Sequence, residues 1–283
     1  MTGRSPVRSS PRDGVSPTGS TGPRDAPVVS AAREAPGSGC SGSGCSGSWR
    51  HDERQASAAV LHAVWPEVDA APRQRAVARC RPAGPAVVLG STQPITDVDP
   101  ARAAAAGLDV VRRRSGGGLV LVEPADPLWV DVWVPADDPL WEPDVLVSFE
   151  WVGQVWARAL ASLGLETEVH LGRLDDPGGW GRRLCFGAVG AGEVVSSSGG
   201  RSVKVVGISQ RRTRAGSWFH GACPLGGSPE RLARVLAGTD ELRRQAASWL
   251  QARVPGLVTL LGTGEAPVSL AERLAAAFSA ALP

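Results

Sequence analysis

The chain has 283 residues, enough for one sizeable catalytic domain with tails. Thirty Lys and Arg against 28 Asp and Glu leave a formal charge of +2, which gives no global field for nucleic acid. There is no apolar run of about 18 residues to span a membrane, no secretory-type leader, and an odd count of five cysteines that does not read as a disulfide framework, so the expectation is a cytoplasmic protein with neither nucleic acid nor membrane as partner.

Residues 1–50 are mostly Ser, Gly, Pro and Arg with few large apolar side chains. Such a segment cannot bury enough surface to offset its ordering entropy and is expected to be a disordered tail. Cys40 and Cys45 lie in it with no second ligand pair nearby, so no metal site is expected there. The folded domain is assigned to residues 51–283. Residues 53–65 read as a helix stopped by Pro66. Residues 86–89 read as a buried strand before Gly90. Asp99 then caps a helix with Pro100 in its first turn and an alanine run that stops at Gly107. Val110 and Val111 belong to the next strand. Residues 119–122 and 128–134 look like two paired strands, joined across Pro124 and Pro127. In the second, Trp129, Asp131 and Trp133 alternate with Val130, Val132 and Val134; these tryptophans and Trp156 are candidates for core or for a cavity lining.

Residues 145–163 form the clearest helix. Leu146, Phe149, Val152, Trp156, Leu160 and Leu163 recur as one apolar stripe, and Gly164 closes it. Strand character returns at 166–170, 184–186, 193–195, 203–208 and 218–224. Helices follow over 229–236, 241–254 and 270–281. No repeat is present. The mixed order of strands and helices gives an α+β fold with a mixed sheet and packed helices.

Two segments carry chemistry. Arg112, Arg113 and Arg114 run into Ser115, Gly116, Gly117 and Gly118, ahead of the strand Leu119, Val120, Leu121, Val122. Adjacent glycines let backbone N–H groups approach an anion, and arginines complement phosphate. The run is neither a Walker A loop nor GxGxxG, and a Gly-rich hairpin turn beside solvated arginines is the plain alternative. The second segment begins at Lys204, the single lysine beside 29 arginines, and runs through Gly207 and Arg211 to His220-Gly221. A lysine presents a compact ammonium where arginine presents a planar fork. On an apolar strand it either reaches water along its stem or meets an anion.

Taken together, Arg-Arg-x-Ser-Gly-Gly-Gly, Lys-x-x-Gly-x-x-x-Arg with its following aromatic-His-Gly, and the earlier Leu89-Gly90-Ser91-Thr92-Gln93 resemble the lipoate–protein ligase and octanoyltransferase family. The resemblance covers roughly residues 52–250. It implies a biotin/lipoate ligase-type catalytic domain. It further implies an enzyme that joins lipoate or octanoate to a lysine of a lipoyl carrier domain through an acyl-adenylate, with ATP and Mg2+ as cofactors. The carriers would be 2-oxoacid dehydrogenase E2 subunits and the glycine cleavage H protein. By resemblance Arg113, Ser115, Gly116, Gly117, Gly118, Leu119, Val120 and Leu121 hold nucleotide and acyl group. Lys204 contacts the acyl carbonyl and α-phosphate, and Glu193 is its candidate carboxylate partner. His220 is a candidate base, or a packing residue.

The chain departs from the ligases in having Val122 where they carry His, and in leaving only about 60 residues after Pro224, too few for their accessory domain. A related branch works without ATP through a cysteine thioester. Its cysteine lies shortly upstream of the lysine segment, where this chain has Cys185, and its donor would be an acyl carrier protein. A small buried hydrophobe is the other reading of Cys185, and Cys223 is expected to be structural. A third possibility is a relative that binds lipoate or a carrier without turnover.

Overall fold

The computed structural model describes residues 28–30, 48–63 and 74–283. The expected disordered tail lies largely outside these. β1 (Val28–Ser30) pairs antiparallel with β2 (Arg50–Ala56). The helix expected over 53–65 is corrected. Its first half is β2, which runs parallel to β3 (Ala76–Pro82), and only α1 (Ala58–Ala63) is helical; Trp65 and Pro66 lie outside the described residues. The sheet overrides local helix propensity here.

β4 (Ala86–Leu89), α2 (Pro100–Ala105) and β5 (Asp109–Arg112) follow the expected order. Asp99 caps α2 by accepting from the N–H groups of Ala101 and Arg102. β6 (Val120–Val122) and β7 (Leu128–Pro135) do not pair as expected. β6 pairs with β4 in a three-stranded sheet of order β5-β4-β6, while β7 joins the large sheet. The carboxylate of Asp126 turns the chain between them, accepting from the N–H groups of Leu225, Gly226 and Gly227.

The large sheet adds β8 (Glu168–Val169), β9 (Val194–Ser198), β10 (Arg201–Thr213) and β11 (Gly216–Cys223), in the order β1-β2-β3-β7-β11-β10-β9-β8. Every residue of β7 is buried. Val130, Val132 and Val134 face α3 (Ser148–Ser162) and α7 (Pro267–Ala280), while Trp129 and Trp133 face α1 with Leu61. All three candidate tryptophans are core. Trp156 of α3 lies 4.6 Å from Phe278, ring to ring, and Gly221 makes room for it: a Cβ there would sit 2.6 Å from its Nε1.

A second core joins the small sheet to α4 (Pro229–Arg234) and α5 (Asp240–Arg253). The short helix α6 (Leu257–Leu261) was not expected; its Leu257 is buried in the first core. The active-site segments run along the seam between the two cores. Among the described residues no helix is long and apolar enough to cross a membrane.

Candidate active site

Lys204 sits on β10 where the register slips, Lys204 opposing Val195 and Val206 opposing Val194. Such a bulge bends a strand and re-aims a side chain. The side chain turns inward and is 3% exposed. Its Nζ lies 2.6 Å from Glu193 Oε2 and donates to the carbonyls of Cys185 (2.7 Å) and Ala188 (3.1 Å). An ammonium has three donors, and all three are engaged. The Phe186 ring packs 5.0 Å from the same nitrogen. Glu193 is held as firmly. Oε2 accepts from Gly190 N–H at 2.7 Å and Oε1 from Ile208 N–H at 3.1 Å. A buried pair with this many bonds satisfies the demand that buried charge be matched, and Glu193 emerges as the partner the sequence proposed.

Lys204 and Glu193 open onto a cavity of about 260 Å³ lined also by Gly116, Gly117, Gly118 and Cys185. Two of these glycines are demanded by backbone packing. Gly117 has φ +97° and its carbonyl abuts Gly90, where a Cβ would lie 1.9 Å from the oxygen. At Gly118 a Cβ would lie 2.6 Å from the backbone nitrogen of Leu184. At Gly116 there is open space. Among the described residues, none of the three glycine N–H groups donates to a backbone carbonyl.

The arginines around the loop act differently from expectation. Arg113 is buried beneath it. Nε and Nη2 donate to Gly116 O, Nη2 also to Gly118 O at 2.9 Å, and Nη1 to Val88 O. Its guanidinium is a strut for the loop rather than a wall of the cavity, and burial lowers its pKa below the usual arginine range. Arg112 likewise donates to Gly90 O, Ser91 O and Gln93 O. Ser115 is buried and bonds Ser209 through the two hydroxyls at 2.9 Å. Leu119 is core, whereas Val120 and Leu121 line a smaller, mainly apolar cavity of about 60 Å³ behind Phe186.

Cys185 is not on a strand. It opens a 3-10 turn, Cys185–Gly187. The turn is pinned to the glycine loop, since Leu119 N–H donates to Arg183 O and Cys185 N–H to Leu119 O, both 2.8 Å. The thiol is half-buried and near Gly207: a Cβ there would lie 3.5 Å from Cys185 Sγ, an ordinary contact, and 3.3 Å from Lys204 Cε. Gly118→Ala should therefore wedge the loop from the cysteine turn. The expected cost is about 1–3 kcal/mol, as for other overpacked sites, read as a lower urea midpoint together with reduced turnover.

His220 is absent from the cavity lining. Its Nδ1 lies 2.7 Å from Asp131 Oδ1, which also accepts from Trp129 Nε1 at 2.6 Å. This places His220 as a packing residue in a buried cluster, edge-on to His62 and Trp129 and tilted against Trp218. His62, on α1, is buried with both ring nitrogens unpartnered. Burial, followed by the fields of His220, Arg113 and Arg54, holds its pKa well below the ordinary 6.5. The folded imidazole thus stays neutral where the unfolded one takes a proton. Its contribution to stability is present above about pH 6.5 and lost as pH falls below it. We expect up to about 1.4 kcal/mol per pH unit, seen in urea unfolding between neutral and mildly acid pH and flattened in His62→Gln.

Sequence comparison decides the family. A model of the family described as the lipoyl protein ligase A/B catalytic domain matches residues 58–279. The chain belongs to this lipoyl protein ligase A/B family. No curated protein matches it. Its fold is shared with solved lipoate–protein ligases. One is the structure of a bipartite lipoate protein ligase and its E2 lipoyl domain from Thermoplasma acidophilum, at 19% identity and TM-score 0.58, covering 74% of this chain and 71% of that one. A putative lipoate protein ligase from T. acidophilum with bound lipoic acid gives 19% and 0.55, covering 74% and 73%. A lipoate-protein ligase A bound with ATP gives 18% and 0.54, with the same coverage. Within this lipoyl ligase family member, the parts that sequence reasoning missed are the carbonyls of Cys185 and Ala188, the Asp131 cluster, and Trp249, whose Nε1 donates to Gly187 O at 3.3 Å. Main-chain acceptors leave no residue-type signal, and a tryptophan inside a polar helix announces burial but not its partner.

Proposed function

We propose that the chain transfers an octanoyl or lipoyl group to a lysine of a lipoyl carrier domain, through a thioester on Cys185. The observation that carries this reading is that Cys185 and Lys204 line one cavity, with the Cys185 sulfur and the Lys204 stem both within 3.5 Å of the point where a Cβ on Gly207 would lie. In the first half-reaction the sulfur bonds to the acyl carbon of an acyl carrier protein thioester, and the departing pantetheine sulfur takes the proton. In the second, the carrier lysine's nitrogen bonds to the same carbon, the carbon–sulfur bond breaks, and a proton returns to Cys185. Oxyanion charge in both steps can be met by the N–H groups of the Gly116–Gly118 loop and by the Lys204 ammonium, once Lys204 releases a carbonyl.

Adenylation by ATP is the second reading. It is supported by the fold shared with an ATP-bound ligase and by the small cavity at Val120 and Leu121. The donor set fits a nucleotide less well. The Arg113 fork is spent on loop carbonyls, and Glu193, the one acid among the larger cavity's lining residues, is spent on Lys204; the carboxylates beside the smaller cavity are Glu123, paired with Arg231, and Asp126, which accepts from Leu225, Gly226 and Gly227. The shared fold with a ligase solved with its E2 lipoyl domain supports E2 subunits, and by the same chemistry the glycine cleavage H protein, as acceptors. Purified protein with apo lipoyl domain and octanoyl–acyl carrier protein, without ATP, should raise the carrier's mass by one acyl group. Modification only with lipoate and Mg-ATP would establish the ligase reading instead. Two blank reactions beside a working control ligase would leave a binding protein without turnover.

A further inference from the structure

β9 pairs with β10 only as far as Val206, which opposes Val194. Past that point, among the described residues, β10 has β11 on one side and no strand on the other. Ile208 N–H turns to the open side, where Glu193 Oε1 accepts it at 3.1 Å. Backbone groups of alternate residues in a strand share a side, so the main-chain N–H and C=O of Gln210 face the same open edge. The cavity of Cys185 and Lys204 runs along this edge, with Ile208, Ser209 and Gln210 in its wall. The carboxamide of Gln210 is almost unengaged there. Its Nε2 is buried with no hydrogen-bond partner, and its Oε1 has one long contact, from the Ser148 hydroxyl at 3.4 Å. A buried donor left unpaired is costly, so this amide calls for a ligand that brings an acceptor.

We propose that Gln210, at this open edge of β10, binds the amide of the pantetheine arm that brings the acyl group into the cavity, and so selects donors by their arm. The inference rests on the Cys185 thioester reading and deepens it. The chemistry of the ligand follows from what a carboxamide can pair with. An octanoyl chain has no atom to offer it, and packing the two together would leave the polar group unmatched. A phosphate has only acceptors and would set oxygen against Gln210 Oε1 and against the main-chain carbonyl. An amide has one N–H and one C=O, the complement of the carboxamide and of the strand edge alike. The distance is also suitable. Cys185 Sγ lies beside Gly207, and β10 advances about 10 Å from Gly207 to Gln210. The glutamine side chain and the short ethylene spacer between the arm's sulfur and its first amide close that gap from its two ends. An arm held at Gln210 sets the thioester carbon against Cys185 Sγ. The cysteine sulfur bonds to that carbon, the arm's carbon–sulfur bond breaks, and the arm leaves as a thiol with the cysteine's proton.

The test compares two small donors on full-length protein without ATP. S-octanoyl-N-acetylcysteamine carries the arm's first amide; S-octanoyl mercaptoethyl acetate has an ester oxygen in place of the amide N–H. Intact mass reads the second-order rate of Cys185 acylation by each, divided by that donor's rate with glutathione to remove intrinsic reactivity. Wild type should favour the amide donor by about tenfold, the scale of one hydrogen bond to a buried neutral group. Gln210→Leu should bring that ratio to about one. Because the ratio is taken within one preparation, it does not depend on how much of the variant is folded. Gln210→Glu keeps an acceptor for the amide N–H and loses the donors, and its ratio should fall between the two. A wild type blind to the difference, or Gln210→Leu with the wild-type ratio, would overturn the proposal, and acylation of Cys185 in the same tubes would leave the thioester reading standing. No acylation of Cys185 by either donor or by octanoyl–acyl carrier protein would sink the thioester reading itself, and the role of Gln210 with it.

Discussion

Lys204→Met lowers acyl transfer by about 10²–10³, the scale for removing one charge-stabilising donor from a reacting centre. The variant also leaves Glu193 buried without its cation, which costs about 3–5 kcal/mol for a broken buried pair. Stability and chemistry are separated by a double variant. Adding Glu193→Gln removes the stranded charge, and its single amide oxygen keeps an acceptor for one of the two N–H groups, Gly190 or Ile208. The double variant should regain much of the urea midpoint lost in Lys204→Met and none of the turnover. Lys204→Arg keeps the charge, yet its planar fork cannot reach Glu193 Oε2 and the two carbonyls from one point. It should remain folded and slow. Full turnover in Lys204→Met at a temperature where it is folded would remove the lysine from the chemistry.

Cys185→Ala should abolish the acyl-enzyme and reduce ATP-independent transfer by at least about 10³, as expected for loss of a covalent nucleophile. Its stability should change by about 1 kcal/mol or less, since the thiol is half-buried and faces a cavity. The other described cysteines provide a control. Cys80 is buried beside Asp131, and burial and that carboxylate push its thiol well above the ordinary range. Cys223 is buried too, and burial pushes its thiol up. An alkylating reagent on the native protein should therefore mark Cys185 ahead of Cys80 and Cys223, and prior acylation should protect it. Full ATP-driven transfer by Cys185→Ala would assign the activity to the adenylate route.

Local patterns carried much of this architecture. The stripe from Val152 to Leu160 has one period and one buried face, and the alternation in β7 sorts its valines and tryptophans onto two buried faces, so both were legible residue by residue. What failed was pairing. Nothing in residues 119–134 says that β6 and β7 belong to different sheets, because that is settled by β4, β3 and β11 elsewhere in the chain. Residues 53–56 lost their helix to a parallel neighbour more than twenty residues away, again a non-local choice.

The site divided in the same way. Lys204 and the glycine loop stood out because residue type alone is informative at a lone ammonium and at three adjacent glycines. The reasons behind those types were only partly legible. Gly118 and Gly221 are small to admit Leu184 and Trp156, not a ligand. Arg113 supports the loop, and His220 belongs to a carboxylate across the sheet. Motif residues that pattern-matching assigns to substrate here hold up the residues that face it.

An enzyme that handles activated acyl groups is exposed to its own product chemistry, since any amine on its surface competes with the intended acceptor. This chain carries lysine at position 204 alone beside 29 arginines, and the guanidinium is charged and non-nucleophilic at any physiological pH. The remaining lysine amine is folded inward, with each proton committed to an acceptor and no lone pair to offer. Stray acylation thus finds no lysine on the protein's exterior.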